Sequence, residues 1–208
     1  RFYRPMVGKV WRMFPIETAR GCPYTCAYCN SPSQTAKFAD TSQHFFRKKN
    51  MSLVKAEIDH VVSRYKADSI DFWADTFFSW KKDEFDEFCE LYSDINLPFW
   101  CQTRVETVNK ERFQKLKDIG CDRISFGLEH GNQEFRKSHL KRLMANNVIT
   151  NGLKTVEDVG IPYSVNNILG FPHETRELAF ETLRVNRTFN ADDRNAYPFT
   201  LFAKTPLR

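Results

Sequence analysis

The chain has 208 residues, of which 41% are hydrophobic and nineteen are phenylalanine, which is enough apolar material for the core of one large domain. Lysine and arginine outnumber aspartate and glutamate by 31 to 26, and the formal charge of +5 is spread along the chain, so a nucleic-acid partner is not indicated. The sequence has neither an apolar run long enough to cross a membrane nor a signal-peptide pattern in residues 1–9, and we predict a cytoplasmic protein without membrane association.

Short apolar segments alternate with longer amphipathic segments, and glycine, proline, asparagine and aspartate mark the turns between them. The short segments predict strands at residues 15–19, 69–74, 99–104, 123–128, 163–169 and 197–202. Helical spacing predicts helices at residues 53–65, 83–93, 109–119 and 174–189, with a further helical stretch that breaks near Asn146 and resumes to Val159. None of the segment pairs carries a hairpin signal.

This alternation predicts an α/β fold with six parallel strands inside and helices outside. Parallel neighbours need crossover connections, and right-handed crossovers curl such a sheet into a barrel or part of one. We therefore expect a partial TIM barrel with (βα)6 topology. Polar and glycine-containing motifs follow the strands, which is the edge at which parallel α/β folds place their active sites.

Three cysteines follow the first predicted strand with the spacing C-x3-C-x2-C, at Cys22, Cys26 and Cys29. Thiolates are the natural ligands of iron–sulfur clusters, and three of them leave one iron of a four-iron cube open to a molecule with an amine and a carboxylate. The alternatives are a structural zinc site, which expects a fourth ligand, and a redox disulfide between Cys26 and Cys29. The other cysteines fit no cluster spacing and are predicted to be small buried residues: Cys89, Cys101 and Cys121.

The cysteine segment resembles that of the radical S-adenosylmethionine (SAM) superfamily, because the aromatic Tyr28 directly precedes the third cysteine and the segment follows the first strand of a (βα)6 pattern. The resemblance covers nearly the whole chain. It implies an enzyme with a [4Fe-4S] cluster whose open iron binds the amine and carboxylate of SAM. An electron from the cluster then cleaves the sulfonium to give a 5′-deoxyadenosyl radical.

The resemblance also implies several contacts to SAM. Tyr28 matches the family position near the adenine, although a core aromatic residue fits there too. Asp75 stands where the family often carries a G-G-E segment that contacts the SAM amine; the glycines are absent, and Asp75 also suits a turn. Glu129 lies in the segment GLEHGN, which resembles the G-L-E-S-G segment of cobalamin-associated radical SAM enzymes, and is expected to bind polar groups of SAM.

Two arginines and one strand complete the implied SAM site. Arg104 ends the third strand, where its guanidinium is expected to clamp a carboxylate of SAM or of the substrate. Arg142 is assigned to the SAM carboxylate by likeness, and a solvated basic helix face is the alternative. Asn166 and Ile168 lie in a segment that resembles the fifth strand supporting the adenine; Asn166 replaces a glycine, and the backbone contacts of Ile168 survive that change.

Three polar residues expected at the mouth of the barrel are assigned to a small-molecule substrate: His130, Asn167 and His173. His130 replaces a small residue of the family segment, and its titratable ring suits a substrate contact, although a lone histidine is often structural. These side chains suit a metabolite that carries a carboxylate, amide or hydroxyl group.

Residues 1–14 resemble the connector from a cobalamin-binding domain, so we expect residues 15–208 to form the radical SAM core and cobalamin to be bound elsewhere. Most enzymes of this class methylate carbon, and we predict cobalamin-dependent C-methylation with a flavodoxin or ferredoxin as electron donor. The alternatives are a methylthiotransferase acting on RNA or protein and a radical cyclase or oxidoreductase. From another class, the alternative is a non-enzymatic iron–sulfur electron carrier.

Overall fold

The computed structural model describes residues 2–6, 8–39, 41 and 44–207. In these ranges the strands are β1 (Tyr3–Met6), β2 (Lys9–Glu17), β3 (Ala19–Arg20), β4 (Arg47–Lys48), β5 (Ser69–Trp73), β6 (Phe99–Arg104), β7 (Cys121–Glu129), β8 (Tyr163–Leu169) and β9 (Asp193–Pro198). The helices are α1 (Ser31–Lys37), α2 (Met51–Tyr65), α3 (Lys82–Ser93), α4 (Lys110–Asp118), α5 (Gln133–Ser138), α6 (Asn146–Val159) and α7 (Arg176–Asn186), and a short 3-10 helix spans Val105–Thr107. Within the described ranges, none of these helices has the length and apolar character needed to span a membrane.

Seven strands form one curled sheet in the order β1-β2-β5-β6-β7-β8-β9. The six strands from β2 to β9 in this order are parallel to one another. Because helices connect them and lie around the sheet, the predicted α/β class and partial TIM barrel are confirmed. A separate antiparallel ladder of β3 and β4 flanks the start of the cysteine segment.

The six predicted strands omit an antiparallel strand at the edge of the sheet. β1 pairs antiparallel with β2, and Met6 lies opposite Lys9. Gly8, directly before β2, has a φ of +72°, a left-handed conformation that glycine adopts without steric cost. Pairing with β1 extends the first predicted strand backwards, and it begins at Lys9 rather than at residue 15.

The last strand also differs from its prediction at residues 197–202. β9 pairs with β8 from Asp193 opposite Ser164 to Pro198 opposite Leu169. Five of its six residues are exposed, so this edge strand lacks the apolar pattern from which strands are predicted. Backbone pairing with β8 defines the strand, and residues 199–202 follow it as a loop at the carboxyl edge of the sheet.

The main core lies between the sheet and the helices. Ile70 and Phe72 of β5 point into it and are fully buried, and α6 adds Ile149, Leu153 and Val156 at helical spacing. Strand residues of the opposite parity face the concave side of the sheet. Polar and aromatic side chains occupy that side. The candidate functional residues therefore lie on the concave face and at the carboxyl ends of the strands.

Candidate active site

A cavity of about 470 Å³ lies at the carboxyl ends of the parallel strands. The cysteine segment after β2 forms one wall, and the ends of β6, β7 and β8 form the other. All ten residues predicted to hold the cluster or SAM line it: Cys22, Cys26, Tyr28, Cys29, Asp75, Arg104, Glu129, Arg142, Asn166 and Ile168. The tertiary structure thus gathers residues that lie far apart in the sequence around one space.

Local contacts shape the cysteine segment. Gly21 has a φ of +82°, and a Cβ on it would lie 3.1 Å from a backbone carbonyl oxygen in the β3–β4 connection, so the chain turns closely there. The backbone N–H of Ser31 donates to Cys29 Sγ at 3.4 Å. The backbone N–H of Ala27 donates to the carbonyl oxygen of Leu140 at 3.0 Å, which ties this segment to the loop before α6.

The protein environment acts differently on the three thiols. Burial raises the pKa of the Cys22 thiol to about 11 and also raises the pKa of Cys29. Cys26 is buried, and its sulfur accepts a hydrogen bond from Arg104 Nη1 at 3.2 Å. Because metals bind the thiolate form, cluster binding at these residues would release protons.

This donor set fits an iron–sulfur cluster with an open iron. The three thiols are free and line the same cavity. Across the ranges that the structure describes, no three His, Cys, Asp or Glu side chains are arranged around a single metal ion. The three thiols line one cavity beside a space large enough for a second molecule, and this arrangement fits a cube with one iron left unligated by protein.

Arg142 is the buried cation of the facing wall. Its Nη1 donates to the Tyr28 hydroxyl at 3.1 Å, its Nη2 donates to the Gly127 carbonyl oxygen at 2.6 Å, and its Nη1 lies 3.6 Å from Glu129 Oε1. Burial opposes the charge, yet Tyr28 and Glu129 raise the pKa of Arg142. Because the side chain is only 3% exposed, the alternative of a solvated basic face is wrong for this residue.

Glu129 reaches the cavity through an unusual backbone conformation. Its φ is +70°, in the left-handed region that non-glycine residues rarely adopt. Burial raises the pKa of its carboxyl group, and Arg142 opposes that effect. A Cβ at Gly127 would collide with the Glu129 carboxylate, so the glycine of this segment makes room for the acid.

Arg104 has two partners that sequence reasoning missed. Its Nε donates to Glu106 Oε1 at 2.6 Å, and its guanidinium carbon lies 3.8 Å from the centre of the Tyr24 ring. Tyr24 lies inside the cysteine motif, and this position in the sequence could have indicated that it lies near the site. Other unpredicted residues also line the cavity: Gln102, Thr103, Ser125, Gly127, Tyr197, Pro198, Phe199, Thr200 and Phe202.

The remaining predicted SAM contacts lie at the rim and on β8. Asn166 Oδ1 accepts a hydrogen bond from Asn195 Nδ2 at 3.0 Å, which orients the amide across to β9. Ile168 is half-buried and packs with a small apolar cluster that includes Tyr28. Asp75 lies at the mouth of the cavity, where partial desolvation and then the charge of Glu17 raise the pKa of its carboxyl group.

The three predicted substrate residues lie outside the cavity lining. His130 is fully buried, its Nδ1 accepts from the backbone N–H of Asn132 at 3.0 Å, and its Nε2 lies 3.1 Å from Glu174 Oε1. Asn167 is buried and donates to Asn186 Oδ1 at 3.2 Å, on the α7 side of the sheet. His173 is exposed in the turn after β8, with a φ of +68°.

His130 and Glu174 connect two loops of the site. Burial lowers the pKa of His130, and its Nε2 lies 3.1 Å from Glu174 Oε1. Glu174 Oε2 accepts from the backbone N–H of Phe171 at 3.1 Å and from that of Gly170. Phe171 in turn makes an edge contact with Tyr28, with 6.0 Å between ring centres. These contacts assign His130 a structural position behind the cavity.

Replacing Gly131 by alanine should destabilise the protein by about 1–3 kcal/mol, because overpacking against backbone has no easy relief. A Cβ there would lie 2.5 Å from the backbone nitrogen of Thr182 in α7. Denaturant unfolding measures the loss. Gly8→Ala is the control, since its Cβ meets no atom within 4 Å and only the positive φ opposes it. A Gly131→Ala loss no larger than that of the control contradicts the steric explanation.

Comparison with models of protein families matches the radical SAM superfamily over residues 16–185. This range contains the three clustered cysteines and runs through β8 into α7. The match therefore covers more than half of the chain and includes most of the cavity described above.

Two curated relatives align with most of the chain. An uncharacterized methyltransferase of Pyrococcus horikoshii is 26% identical over 178 residues, which cover 85% of this chain and 37% of that protein. The anaerobic magnesium-protoporphyrin IX monomethyl ester cyclase of Rubrivivax gelatinosus is 26% identical over 193 residues, which cover 88% of this chain and 32% of that protein. The chain thus spans about a third of the length of these relatives.

Solved structures share the fold. The radical SAM methyltransferase TsrM from Kitasatospora setae, solved with cobalamin and a [4Fe-4S] cluster, matches with a TM-score of 0.75 and 18% identity over 94% of this chain and 38% of that chain. The cobalamin-dependent radical SAM enzyme OxsB, solved with aqua-cobalamin and SAM, matches with a TM-score of 0.67 and 17% identity over 92% of this chain and 28% of that chain.

Proposed function

Because the chain belongs to the radical SAM superfamily, we propose that it is the catalytic core of a cobalamin-dependent enzyme that methylates a carbon atom of a small molecule. Enzymes of this superfamily use a [4Fe-4S] cluster and SAM, act on a substrate and require a reductant. The chain is therefore part of an enzyme and not an electron carrier. Its methylation chemistry, its substrate and its cytoplasmic location are the proposed part.

One observation carries the proposal: three thiols and a set of buried charged groups line the same cavity. Cys22, Cys26 and Cys29 would hold the cluster on one wall. Arg142 and Glu129 face them with opposite charges, held 3.6 Å apart. A cavity with both charges suits a zwitterionic amino acid moiety such as that of SAM, since the carboxylate needs a donor and the ammonium needs an acceptor.

When bound, the cluster supplies the electron that cleaves SAM to methionine and a 5′-deoxyadenosyl radical. The chain's own residues position the reactants. Arg104 Nη1 donates to Cys26 Sγ at 3.2 Å, and a donor to a ligand sulfur stabilises its negative charge. Glu106 accepts from Arg104 Nε at 2.6 Å and fixes the direction of the guanidinium. The Tyr24 ring covers the guanidinium and limits its contact with water.

A second group of residues would orient SAM. Glu129 presents an acceptor for its ammonium group, and Asp75 at the cavity mouth presents another. Arg142, fixed by Tyr28 and by the Gly127 carbonyl oxygen, presents a cation whose Nε has no hydrogen-bond partner within the described residues. That unsatisfied donor favours a carboxylate ligand, because a buried N–H without an acceptor costs free energy.

The cobalamin part of the proposal rests on similarity. The TsrM and OxsB structures share this fold and contain cobalamin, and the Pyrococcus horikoshii relative is named a methyltransferase. We propose that residues 1–14, of which β1 and the start of β2 pair within the core sheet, also lead from a cobalamin-binding region into residues 15–208. A flavodoxin or ferredoxin of the cytoplasm is the proposed reductant. The similarity to the Rubrivivax gelatinosus cyclase makes radical cyclisation the second candidate reaction.

Reductive cleavage of SAM tests the core of the proposal. The chain, reconstituted anaerobically with iron and sulfide and then reduced, should convert SAM to 5′-deoxyadenosine, which liquid chromatography with mass spectrometry quantifies. The unreduced sample is the control and should give none. A reduced protein with a loaded cluster that neither binds nor cleaves SAM contradicts the proposal.

Labelled SAM separates the two candidate reactions. The full-length protein should bind a corrinoid, and with methyl-deuterated SAM in an anaerobic extract of its cells it should produce a metabolite with the label bound to carbon. Formation of 5′-deoxyadenosine without transfer of the label favours the cyclase. A full-length protein that binds no corrinoid contradicts cobalamin-dependent methylation.

A further inference from the structure

A second cavity of about 320 Å³ lies beside the first, on the concave face of the sheet. It is lined by residues of β1, β2, β3, β5 and β6, and by the start of the cysteine segment. Asp75 and Gln102 line both cavities, which are therefore contiguous. A molecule in the second cavity would lie next to the proposed site of radical formation without occupying the space assigned to SAM.

Asp71 is the buried acid of this second cavity. It lies in the middle of β5 on the face opposite to Ile70 and Phe72, so it points to the concave side, and it is only 1% exposed. Its Oδ2 accepts from Trp73 Nε1 at 3.1 Å and lies 3.4 Å from Arg4 Nη1. Its Oδ1 is buried and has no hydrogen-bond partner within the described residues.

The contacts of Asp71 do not account for its burial. A carboxylate in the middle of a parallel strand costs free energy unless its oxygens are satisfied, and one of them is not. The Arg4 side chain, in the edge strand β1, is half exposed to solvent, so the cation that approaches Oδ2 is not itself buried. Burial raises the pKa of Asp71, which is consistent with a carboxyl group that lacks donors. A donor supplied by a ligand would satisfy Oδ1.

The walls around Asp71 indicate the kind of ligand. Trp73 is 60% exposed and Trp100 is half-buried, and both line the cavity, which therefore offers flat apolar surfaces beside the acid. The indole faces attract both rings and cations.

The charges of the second cavity are unequal. Three carboxylates line it, those of Glu17, Asp71 and Asp75, against the guanidinium groups of Arg4 and Arg20. Arg20 is already bound to Glu17 by two hydrogen bonds of 2.9 and 2.8 Å. The excess negative charge is that of Asp75, which this cavity shares with the first, so before SAM binds the second cavity favours a cation over an anion.

We infer that the second cavity is the substrate site of this enzyme and that Asp71 binds an ammonium group of a substrate whose flat apolar part contacts Trp73. The inference rests on the proposed function, because only that function makes the ligand of this cavity a substrate. It differs from the predicted substrate contacts, because His130, Asn167 and His173 lie elsewhere. It also limits the substrate class to amines that carry a ring or another planar group.

Matched probes of opposite charge test this inference. Phenethylamine and 3-phenylpropionate share a ring and a two-carbon chain, and one carries an ammonium group where the other carries a carboxylate. The reconstituted chain, labelled with 5-fluorotryptophan, reports their binding through its fluorine NMR spectrum, and Trp73→Phe assigns the Trp73 resonance. Phenethylamine should shift that resonance and bind about 10-fold or more tightly than 3-phenylpropionate.

Asp71→Asn keeps the shape of the side chain and removes its charge, and it should weaken phenethylamine binding about 10-fold or more. Asp59→Asn, on the exposed outer face of α2, is the matched control and should bind like the parent. Equal binding of the two probes by the parent, absence of phenethylamine binding, or parent-like binding by a folded Asp71→Asn would each overturn the inference. The comparison of phenethylamine with 3-phenylpropionate in the parent protein tests the inference even if Asp71→Asn fails to fold.

This result is separable from the proposed function. Binding of the probes requires no turnover, whereas the proposed function is tested by SAM cleavage in the parent protein. Charge-selective binding that depends on Asp71 supports the inference also in a preparation that does not cleave SAM, and cleavage of SAM by a protein that binds neither probe overturns the inference alone.

Discussion

Replacing Cys26 by alanine should abolish the cluster and reduce the formation of 5′-deoxyadenosine by more than about 100-fold. Mutation of a residue that only hydrogen-bonds to a metal ligand typically lowers metal affinity or activity 10–100-fold, and loss of a ligand itself should have a larger effect. Cys26 is buried, and its sulfur accepts a hydrogen bond from Arg104 Nη1. No other cysteine lines the cavity besides the three of the motif, within the part of the chain that the structure describes, so a replacement ligand is not at hand.

Iron content, the visible absorption of the reconstituted protein and 5′-deoxyadenosine formation measure the effect of Cys26→Ala. Cys89→Ala is the matched control, because Cys89 is a half-buried thiol of α3 packed against the main core and away from the cavity. The control should keep its cluster and its activity. A Cys26→Ala protein that retains a full cluster and cleaves SAM at the parent rate would refute the ligand assignment.

Replacing Arg136 by methionine should destabilise the protein by about 3–5 kcal/mol, because several buried oxygen acceptors lose a charged donor and each unsatisfied one costs about 1–3 kcal/mol. The Arg136 side chain is 0% exposed. Its Nη1 donates to the carbonyl oxygens of His130 and Gly131 at 2.6 and 2.9 Å, and its Nη2 donates to that of Met144 at 2.9 Å. Methionine fills the space but leaves these buried acceptors without a donor.

Denaturant unfolding of Arg136→Met, compared with the parent, measures this loss. Lys137→Met is the matched control, since the neighbouring side chain in α5 is exposed and its replacement should change the stability little. The two variants have the same change in formal charge, so a difference between them reports burial and hydrogen bonding. Equal stabilities of the two variants would show that the Arg136 network contributes nothing.

Arg136 and Arg142 show why the basic segment at residues 134–142 was hard to interpret from sequence. Both arginines are buried, whereas Lys137 and Lys141 between them are exposed. Arg142 points into the cavity, and Arg136 binds the backbone behind it. Nothing in the spacing of the charges distinguishes the two roles, because the loops that accept their hydrogen bonds are assembled by packing.

His130 shows a related limit. The family segment around it predicted a residue facing the substrate, but Glu174, which lies more than forty positions along the chain, holds its ring behind the cavity. The partner of a buried imidazole depends on which loops pack together. The sequence also could not predict that Asp71 lines a second cavity, because nothing in an apolar strand segment with one acid indicates what its side chain faces.

The α/β alternation and the three-thiol motif could be predicted from the sequence, because both depend on short-range properties: the period of apolar residues and the close spacing of Cys22, Cys26 and Cys29. The alternation also placed the ends of the strands at which Arg104 and Glu129 lie, since parallel strands share one carboxyl edge. The burial and pairing of the charged side chains could not be predicted in this way, because their energies depend on desolvation and on partners that packing brings together. The contact of Arg142 with Tyr28, 114 positions apart, and the orphaned oxygen of Asp71 belong to that second kind.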